Sequence, residues 1–278
     1  MTVVPTDLLN PSVTSKLHPS PIKTRTLADG MAALPGALRS EWIKLVSLRS
    51  TYVIGLFTLI VGLVVSWAVA SFPPSDVVSV ETAWFYWTAP SAVLASVVGV
   101  MIFTTDVQHG GLPIMLTVQP ERWIIVLAKA VLALGAGLML GTFSATSGVA
   151  GAALSGIEWG SWSAIAAGIP WALGYTALTA LLGLGVGLLA RSSALAIAGV
   201  LIWGLLIEGL LTLFLPTEVG RFLPFLAGDR MLAFDSQVLN SESATALLTR
   251  AEGALVLAGY AALLLIAGTV SFSRRDSA

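Results

Sequence analysis

Six apolar stretches, each long enough to cross a hydrocarbon layer, constrain this chain more than any other feature. A helical crossing needs roughly 20 predominantly apolar residues. The stretches run Tyr52 to Ser71, Thr88 to Thr105, Ile124 to Leu154, Ala164 to Ala190, Ala194 to Leu215 and Gly253 to Phe272. In hydrocarbon every backbone N–H and C=O must be satisfied within the protein, so such segments form helices. The expected fold is an all-α integral membrane protein with six transmembrane helices. The third and fourth exceed a bilayer's thickness and are expected to tilt or to project into water.

Composition narrows the chemistry. Hydrophobic residues make up 56% of the 278 and charged residues 10%, against roughly a quarter charged in a soluble domain. The net charge of −1 gives no basic surface for nucleic acid. With no cysteine, disulfides, thiolate nucleophiles and Cys-based metal sites are excluded. Only His18 and His109 could supply imidazole, too few for a multi-His metal site within one chain. No Gly-Lys pair occurs, so there is no GxxxxGK[ST] loop to cradle nucleotide phosphates. There is no HExxH pattern and no serine-nucleophile elbow either.

Lysine and arginine set the expected orientation. Lys16, Lys23, Arg25, Arg39, Lys44 and Arg49 precede span 1. Arg122 and Lys129 follow span 2, Arg191 follows span 4, and Arg274 and Arg275 end the chain. Loops 72–87 and 155–163 contain no Lys or Arg, and loop 216–252 sets Arg221, Arg230 and Arg250 against five acids. Positive charge gathers on the cytoplasmic side, so both termini and loop 106–123 are expected there.

Three regions outside the spans carry information. Residues 1–36 are polar, contain Pro5, Pro11, Pro19 and Pro21, and lack the apolar core of a signal peptide. They read as a disordered cytoplasmic tail. Residues 37–50 read as an interfacial amphipathic helix. Leu38, Trp42, Leu45 and Val46 fall near one face, and Arg39, Glu41, Lys44 and Arg49 occupy much of the rest. Trp at an apolar boundary flanked by bases suits the headgroup layer, although a plain positive flank that sets topology has the same pattern. In loop 106–123, Gly110, Gly111 and Pro113 break one helix and Pro120 and Arg122 open the next, around an apolar run from Ile114 to Val118. That suits a short structured element tied to two spans.

A family resemblance emerges from these segments together. It rests on Ser40-Glu41-Trp42-Ile43-Lys44-Leu45 followed by Leu48-Arg49-Ser50, and on Thr105-Asp106-Val107-Gln108-His109-Gly110-Gly111 with Pro120-Glu121-Arg122 and Leu127-Ala128-Lys129. The stretch LLGLGVGLLARSSALAIAG from Leu181 to Gly199 and the long loop before the last span complete it. In order and spacing, over residues 38–275, the chain resembles bacterial ABC-2 type transporter permeases of the actinobacterial kind. It departs from many relatives at Asp106, where they carry Glu, and at Gly110-Gly111, where they carry Gly-Thr or Gly-Ser.

The resemblance implies the permease subunit of an ATP-driven exporter in the bacterial plasma membrane. It implies an interfacial helix before span 1, a coupling element between spans 2 and 3, and a partly re-entrant hairpin over 216–252. Two permease chains, identical or different, would work with two separate ABC ATPase subunits. ATP and Mg would sit on those partners, and this chain would bind no cofactor. The cargo would be hydrophobic or amphipathic: a lipid, a drug or a peptide. A non-transporting immunity or scaffold protein of the same fold is the alternative.

The candidate residues follow. Asp106, His109, Gly110, Gly111, Pro113, Glu121 and Arg122 are the expected ATPase-docking elements. Glu208 is the one acid inside a span, and such a carboxyl faces protein or water. It either lines the export path or packs within the protein. Pro224, Phe225 and Gly228 form the expected outer gate, in a loop too apolar to lie free. Pro216, Pro224 and Gly228 would divide that loop into short helices, part of it dipping into the membrane; a folded cap without gating is the other reading. The run Gly183-Leu184-Gly185-Val186-Gly187 has no preceding strand and reads as close helix packing, as do Gly137 and Gly141. Thr142, Ser144, Thr146 and Ser147 either line a polar path or bond to helix backbone and neighbours.

Overall fold

The computed structural model of the protein describes residues 34–43, 49–72, 79–108, 122–190, 192–232 and 248–274. Residues 1–33 of the expected tail 1–36, Lys44, loop residues His109, Gly110, Gly111, Pro113 and Glu121, and residues 233–247 of the outer loop lie outside the described residues, and residues 34–36 are helical rather than part of a tail. Among the described residues there is no strand. Six helices are long and apolar enough to cross a membrane: Tyr52–Ser71, Val80–Gln108, Arg122–Leu154, Trp162–Leu189, Ser193–Leu211 and Arg250–Arg274. They are spans 1 to 6. A further helix covers residues 34–43. The end of the bundle beside that helix is called proximal here and the opposite end distal.

Spans 2, 3 and 4 form the centre and are mostly buried, whereas spans 1, 5 and 6 bury little of their surface. Span 4 packs on spans 2, 3 and 6; span 1 packs on span 3, and span 5 leans chiefly on span 2. Hydrocarbon gives no hydrophobic drive for helices to associate, so close approach and dispersion must do so. Glycine provides the approach. A methyl group at Gly183 would run into the Ser96 carbonyl, and one at Gly99 into the Ala180 carbonyl. Gly187 lies against Val100, while Gly185, turned to another side of span 4, meets Leu264 of span 6. Gly137 and Gly141 of span 3 face Ala177 and Thr176. The glycine run is thus a packing surface, as its composition suggested.

The hydroxyls of span 3 are spent in the same way. Ser144 donates to Thr88 Oγ1 at 3.3 Å. Ser147 donates to the Ser144 carbonyl at 3.1 Å, and Thr142 and Thr146 to the carbonyls one turn back at 2.9 and 2.8 Å.

Two boundaries differ from the sequence reading by a full helical turn or more. Span 2 begins at Val80 rather than Thr88, because the aromatic run Trp84–Trp87 forms a 3-10 turn continuous with the helix. Span 5 ends at Leu211, and residues 212–215 form turns. At the distal end Val80 N–H donates to the Glu158 carbonyl at 2.8 Å, and Ser161 N–H to Glu81 Oε2 at 2.7 Å. Gly160 makes this closure possible: its φ of +68° favours glycine, and a side chain there would meet Ser79 and Glu81. Trp159 and Trp162 stack beside it, exposed, with centroids 4.8 Å apart. Such amphipathic rings suit a membrane–water boundary.

Candidate functional site

Two clusters of polar side chains are built into the apolar frame, one at each end of the bundle. The proximal cluster centres on Lys129, which span 3 places in the packed interior with its side chain fully buried. An ammonium removed from water costs several kcal/mol unless each of its protons finds an acceptor. Lys129 Nζ donates to Glu41 Oε2 at 3.0 Å, to the Ile102 carbonyl at 3.0 Å, and to Asp106 Oδ2 in a closer contact. Three donors meet three acceptors. The ion pairs join helix 34–43, span 2 and span 3 at one point.

Neighbouring side chains extend the join. Gln108 Nε2, at the end of span 2, donates to Ser193 Oγ at the start of span 5. Arg122 opens span 3 and donates through Nη1 to the Phe272 and Ser273 carbonyls, at 2.8 and 3.3 Å. These are carbonyls of the last described turn of span 6. A cation there also complements the helix dipole. The guanidinium sits 5.3 Å from the centroid of the Phe272 ring, which meets Phe103 edge-on at 5.5 Å. Both stems of loop 109–121 are therefore fastened: one to helix 34–43 and spans 3 and 5, the other to span 6.

The distal cluster holds a short helix, Pro224–Asp229, against spans 4, 5 and 6. Its orphan N-terminal donors are all accounted for. Leu223 N–H donates to the Gly220 carbonyl, Pro224 has no N–H, and Phe225 and Leu226 N–H donate to Glu208 Oε1 and Oε2 at 3.1 and 2.9 Å. Proline at the first position removes a donor that would otherwise need a partner. Glu208 Oε1 also accepts from Trp203 Nε1 at 2.7 Å. The other end of the short helix is pinned by Tyr175 of span 4. Its hydroxyl donates to Asp229 Oδ1 at 2.8 Å and lies 3.2 Å from the Phe225 carbonyl oxygen. Gly228 rests directly on the Tyr175 ring, and Gly253 of span 6 admits the Ala227 carbonyl.

Several sequence expectations change on this geometry. Glu41 was placed on the polar face of an interfacial helix. It is instead buried against Lys129, while Trp42 and Ile43 are exposed. Helix 34–43 thus turns its acid inward and apolar side chains outward, because the buried ammonium needs a counter-charge. Asp106 and Arg122, taken as docking charges, are engaged with Lys129 and with the end of span 6. Glu208 is 2% exposed and faces protein rather than an open path. Its burial is possible because three N–H groups converge on it. Gly228 does not break the outer segment; it lies inside the short helix and provides close contact with Tyr175. Pro224 does start a helix, and Pro224 and Phe225 are buried.

Three features escaped the sequence reading. Lys129 was counted as a loop charge although it lies within the third apolar stretch, where a lone ammonium calls for partners. Tyr175 in mid-span 4 gave no signal beyond a hydroxyl that needs a partner when buried. The third is a π-helical turn, Trp203–Ile207, inside span 5. Nothing in WGLLI announces it. No protein-family model matches the chain, and no curated protein matches it.

Proposed function

We propose that this chain is the membrane subunit of an ATP-driven exporter of the ABC-2 type. In this reading it works as a pair of permease chains with two separate ATPase subunits that carry ATP and Mg. The cargo is hydrophobic or amphipathic and leaves across the bacterial plasma membrane. The observation that carries the reading is the fastening of both stems of loop 109–121. Asp106 and Gln108 tie one stem to Lys129, Glu41 and Ser193, and Arg122 ties the other to the end of span 6. A partner pushing on the loop would move helix 34–43 and spans 2, 3, 5 and 6 together, since packed elements transmit displacement as units. The sequence order of the pre-span helix, the loop and the outer hairpin supports the same reading.

In the mechanism, nucleotide closes the ATPase pair, the docked loop shifts, and the proximal join carries the shift into the spans. The short helix Pro224–Asp229, held through Glu208 and Tyr175, closes the distal side as the outer gate. Purification of the tagged full chain from its native membrane in mild detergent, with mass spectrometry of what accompanies it, tests the proposal. Stoichiometric recovery of a nucleotide-binding ATPase is the expected result. A folded, abundant chain that reproducibly brings none would overturn it in favour of an immunity or scaffold role.

A further inference from the structure

Spans 5 and 6 both rest on the central helices but leave a cleft between them. The cleft holds a cavity of about 290 Å³ with a wholly apolar wall. Val186 of span 4 forms part of its floor, Val200 and Trp203 one side, Tyr260 and Leu264 the other, and Phe225 of the short outer helix its distal roof. Val200, Trp203, Tyr260 and Leu264 lie well inside their spans, whereas Val186 lies near the proximal end of span 4 and Phe225 belongs to the short helix outside the spans. Water at that depth would find none of the polar partners it needs. The space is about twice the roughly 150 Å³ apolar cavity that holds a benzene molecule, enough for a run of carbon atoms.

A second, independent observation lies at the same place. Span 5 departs from α-helical geometry only here, in the π turn Trp203–Ile207. Such turns insert a residue at local cost and occur frequently at functional positions. This one begins at Trp203, whose indole N–H is fixed on Glu208 at 2.7 Å while its ring lines the cleft. The Trp203 side chain stays partly exposed, and one turn earlier Gly199 leaves open space where any other residue would project. The wall is shaped by a backbone distortion, a missing side chain and an anchored ring, yet it carries no charge to hold a headgroup.

We propose that this cleft binds one acyl chain of a membrane lipid drawn from the leaflet at the proximal end. The chain's methyl end lies beneath Phe225, and its length runs along Trp203 and Leu264. The site does not depend on an ATPase partner, so it stands or falls apart from the exporter reading.

The test uses the full chain in phosphatidylcholine nanodiscs containing a phosphatidylcholine with a photoreactive diazirine near the end of one acyl chain. After irradiation, adducts are mapped by mass spectrometry. The expected result is several-fold enrichment on Phe225, Trp203 and Tyr260 over the exposed span 1 residues Val53, Ile60 and Val64. Moving the diazirine to mid-chain should shift adducts toward Val186 and Leu264. Gly199→Phe, built into the open space, should remove the cleft adducts several-fold and leave those on span 1 unchanged. Adducts spread evenly over the apolar surface, in wild type and variant alike, would overturn the proposal and leave only annular lipid. An unlabelled cleft, with Gly199→Cys forming a disulfide between two copies, would overturn it in favour of a second chain. The wild-type map alone decides the matter if Gly199→Phe does not fold.

Discussion

Lys129 shows how much a single charge can organise in this molecule. Its ammonium is satisfied by two carboxylates and a carbonyl drawn from two other helices. Lys129→Met would leave Glu41 and Asp106 facing each other in a buried site. Breaking a buried ion pair from one side costs about 3–5 kcal/mol, so the variant should lose its monodisperse peak in detergent at a markedly lower temperature. Replacing all three groups, as Glu41→Gln, Asp106→Asn and Lys129→Met, should restore most of the lost stability, because uncompensated charge and not lost packing is the main penalty. Failure of the triple variant to recover any stability would refute that account. Glu208 permits a parallel argument. Glu208→Ala leaves the Phe225 and Leu226 N–H groups without an acceptor, at about 1–3 kcal/mol for each buried donor. Glu208→Gln keeps one acceptor oxygen but turns an amide N–H toward donors, so it should fall between wild type and Glu208→Ala. Limited proteolysis of the outer segment should rank the three in that order; equal resistance would mean the cap contributes nothing. At this scale the sequence was only half legible. The carboxyl of Glu208 within a span was visible, but its two backbone partners lie 17 and 18 residues away. The carboxylates paired with Lys129 lie 23 and 88 residues away. No local pattern encodes such pairings.

Whole helices were far easier to read, because length and apolar composition decide whether a segment can cross a membrane. All six spans fall where the apolar stretches do. The errors sit at their edges, where the aromatic run before Thr88 and the threonine after Leu211 blur the hydropathy. The pre-span segment misled for a different reason: helical periodicity separates two faces but does not say which one finds a buried partner. Packing between helices was legible in the glycines, and it yields a sharp contrast. Gly183→Val would drive its side chain into the Ser96 carbonyl, which belongs to backbone and does not give way easily. Overpacking of this kind typically costs about 1–3 kcal/mol, and separation of spans 2 and 4 would cost their other glycine contacts as well. Gly259→Ala, in span 6 with open space around it, should instead be neutral or slightly stabilising, because alanine favours helix by about 1 kcal/mol over glycine. Thermal stability in detergent should separate the two substitutions clearly. Similar behaviour of both would remove the case for a glycine-mediated interface.

The whole molecule has two distinct ends, and their difference makes its orientation testable. The proximal end carries the Lys129 join and the stems of loop 109–121. The distal end carries Glu81, Glu158 and the stacked Trp159 and Trp162. Positive charge accumulates at the first and is absent from the loops 72–87 and 155–163 at the second; under the positive-inside bias this supports the proposal that the proximal end faces the cytoplasm. The absence of cysteine makes single-cysteine labelling free of background. Ser79, in the first distal loop, is buried and would report poorly. Glu158 at the distal end and Ser40 at the proximal end are both exposed. With a membrane-impermeant maleimide, Glu158→Cys should label in intact cells, and Ser40→Cys only after the membrane is opened. The reverse pattern would invert the molecule, move loop 109–121 to the outer face and remove any ATPase from its reach. Equal labelling of both in intact cells would mean that the chain does not hold a single orientation, and no mechanical coupling through the loop could then operate.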